Sequence, residues 1–180
     1  MNNLVYIDLE TTGFQPGKNQ IIQIGAYRPD TGDEFECKIQ CDPDRCTPKT
    51  MAFLNLDIEA WNKTASTLPE AWDLFRAWAG KHRDCTPAGH NFARFDLAFL
   101  EATFPLFDHD ETQWISKKTP FDTLIIANYL WPDMRHTLGD LLEKFGLTNP
   151  NPHDALFDVK ANAKLGDKLI EIRDTLSAGL

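Results

Sequence analysis

Asp8 and Glu10 stand two residues apart in YIDLETTGF, Tyr6 to Phe14, a run whose Tyr6, Ile7 and Leu9 are strand-formers. Side chains alternate faces along a strand, so the two carboxylates share one face, roughly 6–7 Å apart. They repel each other unless something positive sits between them. A solvated edge strand is one reading. The apolar flanks and the Thr11-Thr12-Gly13 that follows favour another, a bound cation. Two more acids sit at helix starts among apolar residues: Asp96 in GHNFARFDLAFL, Gly89 to Leu100, and Asp158 in HDALFDVKA, His153 to Ala161. Taken singly, each reads as a cap or a favourable partner of the helix dipole. His153 follows Pro152. On one straight helix it would lie about 140° from Asp158, so a loop or a helix entrance suits it better. Asp154 beside it reads as the helix cap.

The elements that must position these residues follow from periodicity. Leu4 to Leu9, Gln20 to Tyr27 and Glu34 to Gln40 read as strands, the last two joined across the turn signal Asp30-Thr31-Gly32-Asp33. Short connections make the three antiparallel neighbours. From Thr47 the pattern turns helical. Leu68, Ala71, Trp72, Phe75 and Trp78 recur at spacings of three and four, an amphipathic helix that packs a core. Thr86 to His90 ends a fourth strand, and Leu97, Phe99, Leu100 and Phe104 lie on a helix. A further helix spans Asp122 to Leu130. Another spans Thr137 to Phe145, with a capping-box variant at Thr137 and Asp140 and a stop at Gly146. NPNP, Asn149 to Pro152, continues no helix, and the last helix runs from Asp154 to Leu176. Strands followed by alternating strand and helix give an α/β fold with a mixed sheet, in one domain over residues 1–180.

Composition narrows the function classes. The chain has 180 residues, 42% hydrophobic and 25% charged, which suits a globular protein with a core. No apolar run is long enough for a membrane span, and Met-Asn-Asn-Leu begins no secretory signal, so a cytoplasmic protein is expected. A formal net charge of -9 argues against a broad basic surface for long duplex. It leaves room for an acidic site that grips a nucleic-acid end through divalent cations. Cys37, Cys41, Cys46 and Cys85 form no C-x-x-C pair and read as reduced structural thiols.

Asp8-x-Glu10, then Asp96, then His153-x4-Asp158 resembles the ordered signature of the DEDD exonuclease superfamily in its histidine-containing branch. The chain is similar there to proofreading-subunit-like 3′→5′ exonucleases. The three motifs, YIDLETTG, GHNFARFD and HDALFD, span residues 6 to 158. The resemblance implies an RNase H-like fold, with a central mixed sheet of about five strands, the first three antiparallel, flanked by helices. It implies two Mg²⁺ or Mn²⁺ ions held by Asp8, Glu10, Asp96 and Asp158, with His153 as general base. Asp8 would bridge the ions, Glu10 and Asp158 would complete one shell, and Asp96 would reach the other.

The chemistry agrees. Hard cations choose carboxylate oxygen, four carboxylates balance two divalent ions, and imidazole ordinarily titrates near neutral pH, as a general base requires. The resemblance also implies that Thr11, Thr12 and Gly13 hold the terminal nucleotide through backbone and hydroxyl groups. It places Leu56 against the terminal base, although Leu54 and Asn55 stand where His-Gly is common. Phe92 either stacks on a base or covers the core, and Asn91 either contacts substrate or fixes its loop. The expected activity is hydrolysis from the 3′ end of nucleic acid, single-stranded DNA first, releasing nucleoside 5′-monophosphates. An exoribonuclease is the alternative, and a catalytically silent nucleic-acid-binding module is the rival from another class.

Overall fold

The computed structural model describes residues 3–179 except Asn55, Leu106 and Asp108, and leaves aside the side chains of Met51 and Phe53. Its centre is one five-stranded sheet in the order β3-β2-β1-β4-β5. The strands are β1, Leu4–Thr11; β2, Ile21–Arg28; β3, Asp33–Lys38; β4, Thr86–Gly89; and β5, Phe121–Asp122. β1 to β3 form an antiparallel meander, and β4 and β5 add in parallel beside β1. The first four strands lie where the hydrophobic patterning puts them. β5 has only two residues, too short for a period, and the sequence shows only the helix that follows it.

The helices are α1, Pro48–Leu54; α2, Ile58–Asn62; α3, Leu68–Ala79; α4, Asp96–Thr103; α5, Trp114–Lys117; α6, Thr123–Leu130; α7, Leu138–Lys144; and α8, Ala155–Ala178. Thr67 and Thr137 start α3 and α7 as capping boxes, with Glu70 and Asp140 reaching back. Asp154 caps α8, accepting from the N–H groups of Leu156 and Phe157. Gly146, at φ 64°, ends the turn after α7 in the left-handed region. Among the described residues, no helix is long and apolar enough to cross a membrane.

The alternation along β1 sorts the core. Val5, Ile7 and Leu9 pack with Phe75 and Trp78 of α3 and with Phe99 and Leu100 of α4. Leu4 and Tyr6 pack instead with Val159 and Ala163 of α8. Asp8 and Glu10 continue the Leu4–Tyr6 face, toward the start of α8. Two glycines let α8 approach that closely. A Cβ on Gly166 would fall 1.9 Å from Tyr6 Oη, and one on Gly25 would fall 2.3 Å from the backbone of Ala155. Gly25 pairs with Asp8 and Gln23 with Glu10, so the sheet beside the carboxylates is bare enough for a helix terminus. The Ala155 N–H, unpaired within its own helix, donates to Gln23 Oε1 at 3.3 Å.

Candidate active site

Three segments converge at the end of β1. The first is Asp8 and Glu10 themselves, both half-buried. The second is Asp96, the first residue of α4, buried with its Oδ1 accepting from the Leu9 N–H at 3.0 Å. The third is the entrance to α8, where Asp158 lies in the first turn. The His153 N–H donates to Asp158 Oδ2 at 3.2 Å, and Asn149 Nδ2 donates to Asp158 Oδ1. Ligand atoms of Glu10, His153 and Asp158 all lie within 4.8 Å of one another. His153 is exposed in the loop before α8 with φ 68°, a left-handed conformation rare for a residue with a Cβ. Asn91, in the loop before α4, has φ 62°. Among the described residues, the two non-glycine residues with positive φ therefore both sit in loops that deliver motif residues.

The electrostatics are those of an acidic cluster short of positive charge. Burial holds the Asp8 carboxyl well above the usual carboxylate range, and Asp96, Glu10 and Asp158 push it further. Burial, then Asp158 and Asp154, push Glu10 up to about 8. Burial raises Asp96 strongly, against the opposing hydrogen bonds from its own N–H and that of Leu9. Burial raises Asp158 also, opposed by its contacts with His153 and Asn149. Among the described residues, no lysine or arginine forms an ion pair with any of the four. Oxygen donors that suppress each other's ionisation are a fitting donor set for hard divalent cations, which relieve desolvation and repulsion together.

The loops around the cluster correct several sequence expectations. Phe92 is fully buried in the core, its Cβ facing Gly89, so the base-stacking reading of this ring is overturned. The hydroxyls of Thr11 and Thr12 are spent inside the protein. Thr11 Oγ1 donates to Gly13 O at 2.7 Å, and Thr12 Oγ1 donates to Arg45 O at 2.7 Å and accepts from the Gln20 N–H. A buried hydroxyl must be paired, and much of the loop's backbone is paired as well: the Thr12 N–H donates to Gln20 O at 2.9 Å, and Thr12 O accepts from the Thr47 N–H at 3.0 Å. Gly13 is needed for packing, since a Cβ there would lie 2.5 Å from the Asn19 side chain. The Asn91 N–H donates to Asp122 Oδ1, and Asn91 lines a cavity of about 490 Å³ with His90 and His136. A second cavity of about 370 Å³ opens beside His153 and Asp158, lined also by Asn149, Leu138 and Leu142. Leu56 is half-buried between α1 and α2 and lines neither cavity; Asn55 lies outside the described residues.

Three contributors escape the sequence reading. Asn149 belongs to NPNP, which shows only as a helix stop. Asp122 shows as a helix start, yet it is buried and also accepts from the N–H groups of Asn91 and Ala93, fixing the loop that leads to Asp96. Phe14 is 75% exposed at the end of the Thr11–Gly13 loop, with its ring centroid 6.3 Å from that of Phe95, the residue before Asp96. An aromatic directly after a turn glycine was its only signal.

A mixed sheet with this strand order, with two acids on its central strand and two more brought to its end by α4 and α8, defines the RNase H-like class of nuclease folds. The chain belongs to the RNase T-type exonuclease family, whose model, described as Exonuclease, matches residues 5–165. It is 30% identical over 168 residues to the PolC-type DNA polymerase III of Listeria innocua and 30% identical over 177 residues to that of Bacillus subtilis. These alignments cover 91% and 93% of this chain but 11% of each polymerase, so the chain spans about a ninth of those relatives. Among solved structures, E. coli exonuclease I with single-stranded DNA in a zinc-bound form matches with a TM-score of 0.70 at 20% identity, over 94% of this chain and 40% of that one. Exonuclease I of Methylocaldum szegediense matches with a TM-score of 0.67 at 19% identity, over 88% of this chain and 38% of that one.

Proposed function

We propose that the chain is a metal-dependent 3′→5′ exonuclease that takes the 3′ end of single-stranded DNA and releases nucleoside 5′-monophosphates. The observation that carries the reading is the convergence of Glu10, His153 and Asp158 within 4.8 Å, beside Asp8 and Asp96. Family membership supports hydrolysis at an end. Relatives named as DNA polymerases, and fold neighbours described with DNA oligonucleotides, support DNA.

Asp8, Glu10, Asp96 and Asp158 would hold two divalent cations, Mg²⁺ or Mn²⁺. When bound, such ions neutralise phosphate charge and polarise the scissile bond and the water that attacks it. The protein's own part is distinct. Asn149 and the His153 N–H orient the Asp158 carboxylate. The His153 imidazole accepts the proton of the attacking water, and its loop position lets the ring swing over the cluster. The Thr11–Gly13 loop borders the terminal nucleotide, and the open Phe14 ring, backed by Phe95, provides a face on which a base stacks.

The test is a matched assay on 3′-labelled and 5′-labelled DNA and RNA oligonucleotides with Mg²⁺, with Mn²⁺ and with chelator. The expected result is metal-dependent release of mononucleotides from the 3′ end, faster on DNA. Faster loss of RNA would reassign the substrate. Rapid cleavage of a circular single strand would overturn the exonuclease reading.

A further inference from the structure

Cys41 and Cys46 bracket the 3₁₀ turn Pro43–Arg45, and their Sγ atoms stand 3.0 Å apart. Each backbone is fixed separately. Asn62 holds Cys41 from both sides, with Oδ1 accepting from its N–H at 2.7 Å and Nδ2 donating to its carbonyl at 2.9 Å. The Cys46 N–H donates to Pro43 O at 3.1 Å. Closing an S–S bond from this arrangement brings the sulfurs together by only about 1 Å. The other two cysteines are occupied elsewhere: Cys85 Sγ donates to Asn3 Oδ1, and Cys37 Sγ lies against Lys38 O.

The turn between the pair supports the loop that follows the D-x-E strand. Arg45 O accepts from Thr12 Oγ1 at 2.7 Å and from Asn19 Nδ2 at 3.0 Å. The Arg45 guanidinium donates to the carbonyls of Gly17, Lys18 and Asn19, and the Thr47 N–H donates to Thr12 O. We propose that Cys41 and Cys46 are a redox modification site, at which a hydroperoxide forms an intramolecular disulfide that locks this turn beneath Thr11–Gly13.

The roles of the two thiols differ. Cys46 is half-exposed and reaches the oxidant, whereas Cys41 is buried. Burial, then the contact with Cys46, push the Cys41 thiol up to about 12, which leaves Cys46 to react first. The Cys46 thiolate attacks a peroxide oxygen, the O–O bond breaks, and the departing hydroxide is protonated to water, leaving a sulfenic acid on Cys46. The Cys41 sulfur then attacks the Cys46 sulfur and gives up its proton, while hydroxide leaves as a second water. Two thiols lose two electrons, and hydrogen peroxide becomes two waters. A dithiol reverses the step by exchange.

Trypsin supplies a direct readout, because it cuts after Lys38, Arg45 and Lys49 and so separates the two cysteines onto different peptides. The full chain is treated with hydrogen peroxide, its remaining thiols are alkylated, and it is digested without reductant. The expected product is Ile39–Arg45 joined to Cys46–Lys49, two hydrogens lighter than the separate peptides and split by dithiothreitol. Two of the four thiols should escape alkylation, and Tm should rise on the order of 5 °C. Cys46→Ser should give neither the joined peptides nor the rise. Four alkylated thiols, a Cys46 that stops at sulfinic acid, or a disulfide joining other cysteines or two chains would overturn the proposal.

Discussion

The Leu9 N–H donates to Asp96 Oδ1 across 3.0 Å, so the carboxylate that opens α4 is bonded to the residue between Asp8 and Glu10. β4 pairs with β1 only over Leu4, Val5 and Tyr6, which leaves the later part of that edge without a strand partner. Asp96 takes the strand's place. It is at once a candidate metal ligand and the acceptor for a buried backbone donor.

Substitutions at Asp96 separate these two roles. Asp96→Asn keeps an oxygen acceptor for Leu9 and removes the charge, so turnover should be lost while the metal-free Tm holds or rises. Asp96→Ala should lose turnover and also strand the Leu9 N–H, at a cost of about 1–3 kcal/mol. At about 2–4 °C per kcal/mol, thermal unfolding with chelator resolves the two variants. Equal melting temperatures would mean that the Leu9 contact contributes nothing.

The raised carboxylates make the metal-free fold sensitive to pH. Their folded pKa values lie above the unfolded ones, so the folded chain holds more protons across the interval between, and stability falls as pH rises through it. For Glu10 the interval runs from its ordinary 4.5 to about 8. With chelator, Tm should decline steadily between about pH 5 and pH 8. Saturating Mg²⁺ or Mn²⁺ should flatten the decline. A chelated protein with a flat profile would contradict the mutual repulsion of the four acids.

His153→Gly is a cleaner probe of the imidazole than an alanine variant, because φ 68° suits glycine and the His153 N–H to Asp158 is kept. The fold should lose little stability. The turnover rate should fall by about 10²–10⁴ and recover partly at high pH, where hydroxide replaces the base. Stopped-flow rates across pH, with metal affinity measured in parallel, check this. An unchanged rate and profile would assign proton removal to another group.

Phe14 and Phe92 should separate substrate contact from packing. Phe14→Ala removes an open ring, so KM for single-stranded DNA should rise by the equivalent of about 1–3 kcal/mol of stacking, with Tm nearly constant. Phe92→Ala empties a fully buried site and should cost about 3–5 kcal/mol of stability. A Phe14→Ala enzyme with wild-type KM would remove that ring from the substrate path.

Local patterning was enough to read much of this molecule. Alternation in Leu4–Leu9 and Gln20–Tyr27, three-and-four spacing in Leu68–Trp78, and the Thr137/Asp140 box each act over a few residues, and the corresponding elements stand close to where they were read. The three acidic motifs were legible because their residue types are unusual among apolar neighbours. β5 was hidden because a two-residue strand exists only through its pairing with Ala88 and Gly89. Phe92 was ambiguous because an aromatic beside a polar motif has the same local signature on a surface and in a core.

By itself the sequence determined which side chains are the candidates for the chemistry and that Asp8 and Glu10 share a face, since strand pleat alone dictates the latter. Only the tertiary structure decided that Asp96 closes the open edge of β1 and that Asn149 and His153 hold Asp158. It alone decided that Thr11 and Thr12 turn their hydroxyls inward and that the Phe14 ring beside them stays open to solvent. The physical reason is the approach of α8 to the sheet. The missing Cβ at Gly25 and the Gln23 amide together fix where the helix begins, across more than a hundred residues of intervening chain. No short-range pattern encodes a contact of that separation.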